Sequence, residues 1–152
     1  TAAAGVLRNL AEHNDHHAEM SRAKVVVPLV ELLQTGSTEG KTEAAGALQH
    51  MSMNDDNELA IMDAGAIKPL VDLLHSGSSE GQCAAAGTLR NLATTDANQV
   101  AVAKEGAIAA LIALLKTGDV EAVTISAGAL RNLSADDENK VTVAKEVTAM
   151  PM

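Results

Sequence analysis

Apolar residues in this chain return at intervals of three and four over short stretches, each bounded by glycine or by a polar turn. Over 107–116, Ile108, Leu111, Ile112, Leu114 and Leu115 fall on one side of a short helix. The punctuation agrees with helices. Gly36, Gly77 and Gly118 follow Leu-Leu pairs as stops, Gly65 and Gly106 break the chain just before the helices that carry those pairs, and Pro28 and Pro69 lie within the first turn or so. Ser79 with Gln82 suggests a capping box. The pattern predicts a short helix (57–64, 98–105), a middle helix (66–75, 107–116) and a longer helix (80–93, 121–134), in that order.

The pattern repeats. Gly5-Val-Leu-Arg-Asn-Leu10 returns as Gly46-Ala-Leu-Gln-His-Met51, Gly87-Thr-Leu-Arg-Asn-Leu92 and Gly128-Ala-Leu-Arg-Asn-Leu133, each 41 residues on. Leu32-Leu33-Gln34-Thr35-Gly36 keeps the same step through Leu73–Gly77 and Leu114–Gly118. A unit of this size cannot bury its apolar faces alone, so neighbours must stack around a shared core, which makes an all-α solenoid. Ala, Gly, Leu, Ile and Val allow helices to approach near the lower end of the usual 8–10 Å interaxial range, roughly.

The order NLS, Asn, AGAI, LV-LL, G, AAGAL-NL resembles the armadillo repeat over almost the whole chain. The resemblance implies a right-handed superhelix. Its units would be a partial repeat over 1–14 (a third helix), repeats over 15–53, 54–94 and 95–135, and a partial repeat over 136–152. In that last unit a first helix is expected from 137 to about 145, and residues 146–152 abandon the pattern where Gly-Ala-Ile is expected. The first full unit departs too, with Lys24 in place of Gly65 and Gly106, and His16 in place of Asn57, Asn98 and Asn139, so its first helix is expected to be irregular. The out-of-phase ends suggest a piece of a longer chain.

Composition narrows the chemistry. Eleven Lys+Arg against 20 Asp+Glu give a net charge of −9, yet a hydrophobic share of 47% argues against a disordered acidic tail. No Phe, Tyr or Trp is present, which removes base stacking, sugar platforms and aromatic cages. An acidic chain without such rings is a poor binder of nucleic acid or anionic membranes. The single cysteine, Cys83, cannot pair internally, so an intracellular setting, cytoplasmic or nuclear, is expected. Neither a membrane span nor a signal peptide is recognisable in the sequence.

Catalysis finds no foothold: there is no phosphate loop, no nucleophile elbow and no pair of carboxylates that the fold would bring together in a pocket. The reading is a non-enzyme without cofactor or metal. His13-Asn14-Asp15-His16-His17 is read as a polar turn between repeats, equivalent to Asp55-Asp56-Asn57, rather than as a metal site. Cys83 is read as a small residue packed beside the groove, and Asn132-Leu133-Ser134 as a sequon inside a helix that carries no glycan.

The repeated Arg-Asn pair is the functional signal. Leu7, Leu89 and Leu130 should point into the core, which turns the next two residues outward: Arg8-Asn9, Arg90-Asn91 and Arg131-Asn132, with Gln49-His50 at the second rung. Asparagine is a weak helix former, so its recurrence needs a reason. Either its amide stitches adjacent repeats, or it forms a ladder of donors and acceptors about one repeat, roughly 10 Å, apart, which can grip an extended peptide at about every third residue. The family resemblance implies the ladder: third helices lining a concave groove, asparagines holding a peptide extended, and arginines similar to the basic residues of β-catenin-like members that meet acidic ligands. Gly5, Gly46, Gly87 and Gly128 stand where importin-α-like members carry tryptophan, which disfavours basic nuclear-localisation peptides. The chain therefore resembles β-catenin, plakophilin and vacuolar armadillo proteins. The expected partner is a protein segment that is extended and neutral to acidic. The alternative is an assembly segment that self-associates through its terminal helices.

Overall fold

The computed structural model describes residues 23–149, and every element among them is helical. In chain order these are α1 (Ala23–Thr35), α2 (Thr38–Met51), α3 (Asp55–Asp63), α4 (Ile67–Ser76), α5 (Ser79–Leu92), α6 (Asp96–Lys104), α7 (Ala107–Thr117), α8 (Val120–Leu133) and α9 (Asp137–Thr148). The expected first partial helix, the unit start around His16 and the cluster His13–His17 lie outside the described residues.

Like stacks on like. The third helices α2, α5 and α8 pack directly on one another, and each also packs on the middle helix of its own unit, α1, α4 or α7. One continuous core runs through all units, with Leu29, Leu48, Leu70, Leu89, Leu111 and Leu133 all buried. Alanine does much of the filling: Ala44, Ala45, Ala85, Ala86 and Ala129 are fully buried along the third helices, where larger side chains would push the stack apart.

Each third helix begins with a repeated cap. Ser37 and Ser78 accept from the backbone N–H groups of Gly40 and Gly81, both at 3.1 Å, and Asp119 accepts from Ala122 at 2.9 Å. The cap of α5 is therefore Ser78, not the Ser79–Gln82 box; Gln82 instead donates to the Leu74 carbonyl, closing the end of α4. The later caps also touch a hydroxyl of the preceding unit: Thr42 and Ser78 share a hydroxyl hydrogen bond of 3.0 Å, and the Ser79 hydroxyl donates to Asp119 at 3.1 Å.

Two other expectations need correction. Pro28 sits in the second turn of α1 rather than its first, because the helical residue Lys24 replaces the left-handed glycine (φ 75° at Gly65, 86° at Gly106) that delays the start of α4 and α7. Helix α9 runs to Thr148, past the expected end near residue 145, because Val147 occupies the position of those glycines and nothing breaks the turn. Val141 and Val147 on α9 are 53% and 48% exposed, so part of this last helix presents apolar surface.

Candidate functional site

The row α2, α5, α8 carries the rungs. Leu48, Leu89 and Leu130 are buried as their helix positions require, and Gln49, His50, Arg90, Asn91 and Asn132 behind them are half-buried, while Arg131 is exposed. The outward turn is thus only partial, for two reasons visible in the packing.

The first is the asparagine. Asn91 Nδ2 donates to Ser52 Oγ at 3.0 Å and to the Gln49 carbonyl at 3.3 Å, and Asn132 Nδ2 donates to the Arg90 carbonyl at 2.9 Å. These carbonyls belong to the last turn of the preceding third helix, where no further intrahelical N–H is available, so Asn132 supplies a missing partner to Arg90, and Asn91 adds a second donor to a Gln49 carbonyl that already accepts from the Ser52 hydroxyl. A carbonyl acceptor also fixes the amide's orientation, because the flipped amide would set oxygen against oxygen. The asparagines therefore stitch adjacent repeats through nitrogen and offer chiefly Oδ1 to the surface, instead of the balanced donor and acceptor pair expected of the ladder.

The second is the glycine four residues before each asparagine, Gly87 and Gly128. A Cβ at Gly128 would lie 3.0 Å from Arg90 Cδ, and one at Gly87 would meet the amide of Gln49. The stem of each rung lies across the glycine of the next repeat. Fourfold recurrence of this glycine was plain in the sequence, but the lodger in its slot sits in another repeat.

Two depressions open along the row. One, of about 500 Å³, is lined by Arg90, Asn91, Arg131 and Asn132 together with Thr94 and Thr124. The other, of about 440 Å³, takes Gln49 and His50 from α2, Glu80 and Cys83 from α5, Glu121 from α8 and its cap Asp119. Four predicted rung residues thus meet around one depression, and Gln49-His50 opens into a neighbouring, acidic one. Arg8 and Asn9 lie outside the described residues. Cys83 is buried, and burial together with Glu121, Asp119 and Glu80 pushes its thiol up to about 11, which leaves it protonated and inert at neutral pH. The Asp119 carboxyl is held below its ordinary value by the backbone N–H of Ala122 and the Ser79 hydroxyl. Among the described residues no cluster of His, Cys, Asp or Glu has the makings of a metal site.

The first turns of α3, α6 and α9 hold a second polar row. Asn57 Nδ2 donates to the Met51 carbonyl at 2.8 Å, Gln99 Nε2 to Ala93 at 3.0 Å, and Asn139 Nδ2 to Gln99 at 3.0 Å, all buried. In the last full unit the bond back to the preceding helix end comes from Gln99, one residue after Asn98, the position that period alone points to.

The family profile of the Armadillo/beta-catenin-like repeat matches residues 14–53, 54–94 and 95–135. The chain belongs to the armadillo repeat family. It is similar in structure to computationally designed armadillo repeat proteins for modular peptide recognition, with a TM-score of 0.89 and 25% identity over 96% of this chain and 63% of that one. A designed armadillo repeat protein in complex with the peptide (KR)4 superposes with a TM-score of 0.86 at 26% identity, over 95% of this chain and 62% of the other. An engineered protein reaches 33% identity at a TM-score of 0.89, over 96% and 61% of the two chains. This armadillo chain spans less than two thirds of the length of each of these structures. No curated protein sequence matches it.

Proposed function

We propose that this armadillo chain is a non-enzymatic, intracellular interaction scaffold that binds an extended, neutral-to-acidic protein segment along its third helices. The observation that carries the reading is the meeting of Arg90, Asn91, Arg131 and Asn132 around one open depression. Guanidinium groups suit carboxylates bidentately, and the amide oxygens fit the main-chain N–H groups of an extended segment. The designed relative binds (KR)4. In this chain arginines on the rungs, and the lack of any tryptophan to flank lysine stems, favour the opposite charge and a β-catenin-like rather than importin-α-like groove.

The test is to compare wild type with R90E/R131E for binding of an acidic extended peptide, with helicity checked by circular dichroism. Loss of binding in a folded variant is expected, with the residual binding less sensitive to salt. Equal binding would refute the scaffold reading. A second reading, that the chain is a structural segment of a larger assembly, draws on the repeat-bridging bonds of Asn91 and Asn132, which need no ligand.

A further inference from the structure

The row of third helices carries a second ladder. Glu39, Glu80 and Glu121 recur every 41 residues, each in the first turn of its helix, while Arg90 and Arg131 occupy the last turn of theirs. Ten residues separate Glu80 from Arg90 and Glu121 from Arg131, about 15 Å along a helix. Acids at a helix start and bases at its end suit the helix dipole, which accounts for the order along each helix. It does not account for both kinds of residue opening onto the same row of depressions. Glu80 and Glu121 line one, with Asp119 and no lysine or arginine; Arg90 and Arg131 line the other, with no carboxylate.

We propose that the groove reads the two edges of its ligand separately: an extended protein segment with acidic side chains on one edge, toward Arg90 and Arg131, and basic side chains on the other, toward Glu80 and Glu121. The inference rests on the scaffold reading above and commits it to the neutral end of its range. Successive side chains of an extended chain leave on opposite sides, so a segment lying between the rows offers one edge to each. Screening keeps the rows independent, because a separation of about 15 Å exceeds the Debye length of about 8 Å at physiological ionic strength. Each edge therefore meets its own row rather than an average of both. The average would mislead: a net charge of −9 repels a purely acidic segment at long range, and a purely basic one meets the arginines.

Three fluorescein-labelled octapeptides, too short to hold a helix alone, separate pattern from composition. In alternating Glu-Lys each edge carries one sign; in Glu-Glu-Lys-Lys order the same residues put both signs on each edge; in alternating Glu-Thr one edge is acidic and the other neutral. Fluorescence anisotropy should show the alternating Glu-Lys peptide binding about tenfold tighter than its block-ordered isomer, the sum of several weak surface ion pairs. E80K/E121K should abolish that preference and shift it to Glu-Thr, with E80Q/E121Q as the milder variant should the double lysine fail to fold. Equal binding of the two isomers, or an unchanged preference in the glutamate variants, would overturn the two-edge inference while leaving the scaffold reading intact, provided Glu-Thr binds. Binding of none of the three would overturn both.

Discussion

Stitching and gripping by the same asparagine can be separated at Asn91, because its partner Ser52 lies on the far side of the bond. Ser52 is 2% exposed, accepts from Asn91 Nδ2 at 3.0 Å and donates to the Gln49 carbonyl at 2.8 Å. Asn91→Ala removes the stitch and whatever its amide offers a ligand. Ser52→Ala removes the stronger half of the stitch, leaving the 3.3 Å bond from Asn91 Nδ2 to the Gln49 carbonyl, and alters nothing that a ligand touches. Each single change should destabilise by about 1–2 kcal/mol, from two lost hydrogen bonds, one of them shared by the pair. The double variant should cost less than their sum, by a coupling of about 0.5–1.5 kcal/mol, measured by urea denaturation with unchanged m-values. Peptide affinity should divide differently. Ser52→Ala should leave it as in wild type, whereas Asn91→Ala should lower it about 2- to 10-fold. Costs that add within about 0.5 kcal/mol would refute the stitch. Equal affinity of Asn91→Ala and Ser52→Ala would refute the grip.

Two further outcomes follow from the electrostatics. Alkylation of Cys83 by iodoacetamide should be slow at neutral pH and should keep rising about tenfold per pH unit past pH 9, because only the thiolate reacts and burial beside carboxylates holds the thiol near 11; a plateau near pH 9 would contradict the assigned environment. Glu58 is raised above its ordinary value by burial first and by Asp55 second, so its ionised form opposes folding at neutral pH and its protonation favours folding as the pH falls through the raised value. Glu58→Gln keeps an acceptor for the Thr94 hydroxyl and should raise the thermal midpoint at pH 7, an advantage that should shrink toward about pH 4.

The sequence was read most securely where a signal and its cause lie in the same helix. Leu89 and Leu130 are buried as their spacing requires, and α7 spans Ala107–Thr117 where periodicity predicts 107–116. Reasons were harder to read than positions. Gly77 and Gly118 do end α4 and α7, yet their φ values of −74° and −75° are open to any residue; glycine is needed because a Cβ would come within 2.6 Å and 2.7 Å of the Leu73 and Leu114 carbonyl oxygens. Caps were misread by one residue at Ser78 because both serines satisfy a capping pattern and only the path of the chain selects between them. Partners one repeat away were not legible at all. Asn132 bonds to Arg90, 42 residues back, and a period shows that such a residue recurs without showing which atom it meets.

A recurring residue can be kept by a recurring neighbour or by something outside the molecule, and the exceptional rung tells these apart. Gln49 stands where the next two rungs carry Arg90 and Arg131. Its side chain still lies over Gly87 as that of Arg90 lies over Gly128, and its carbonyl still receives Asn91 as that of Arg90 receives Asn132. Glutamine therefore meets every demand that stacking makes at this position, and the charge is the one property it lacks. Repeat-to-repeat packing accounts for a long stem and a carbonyl, but not for a guanidinium. The helix dipole favours a base here too, but on the scaffold reading proposed above the charge on Arg90 and Arg131 serves the ligand, and its absence at Gln49 falls beside the depression that holds Glu80 and Glu121.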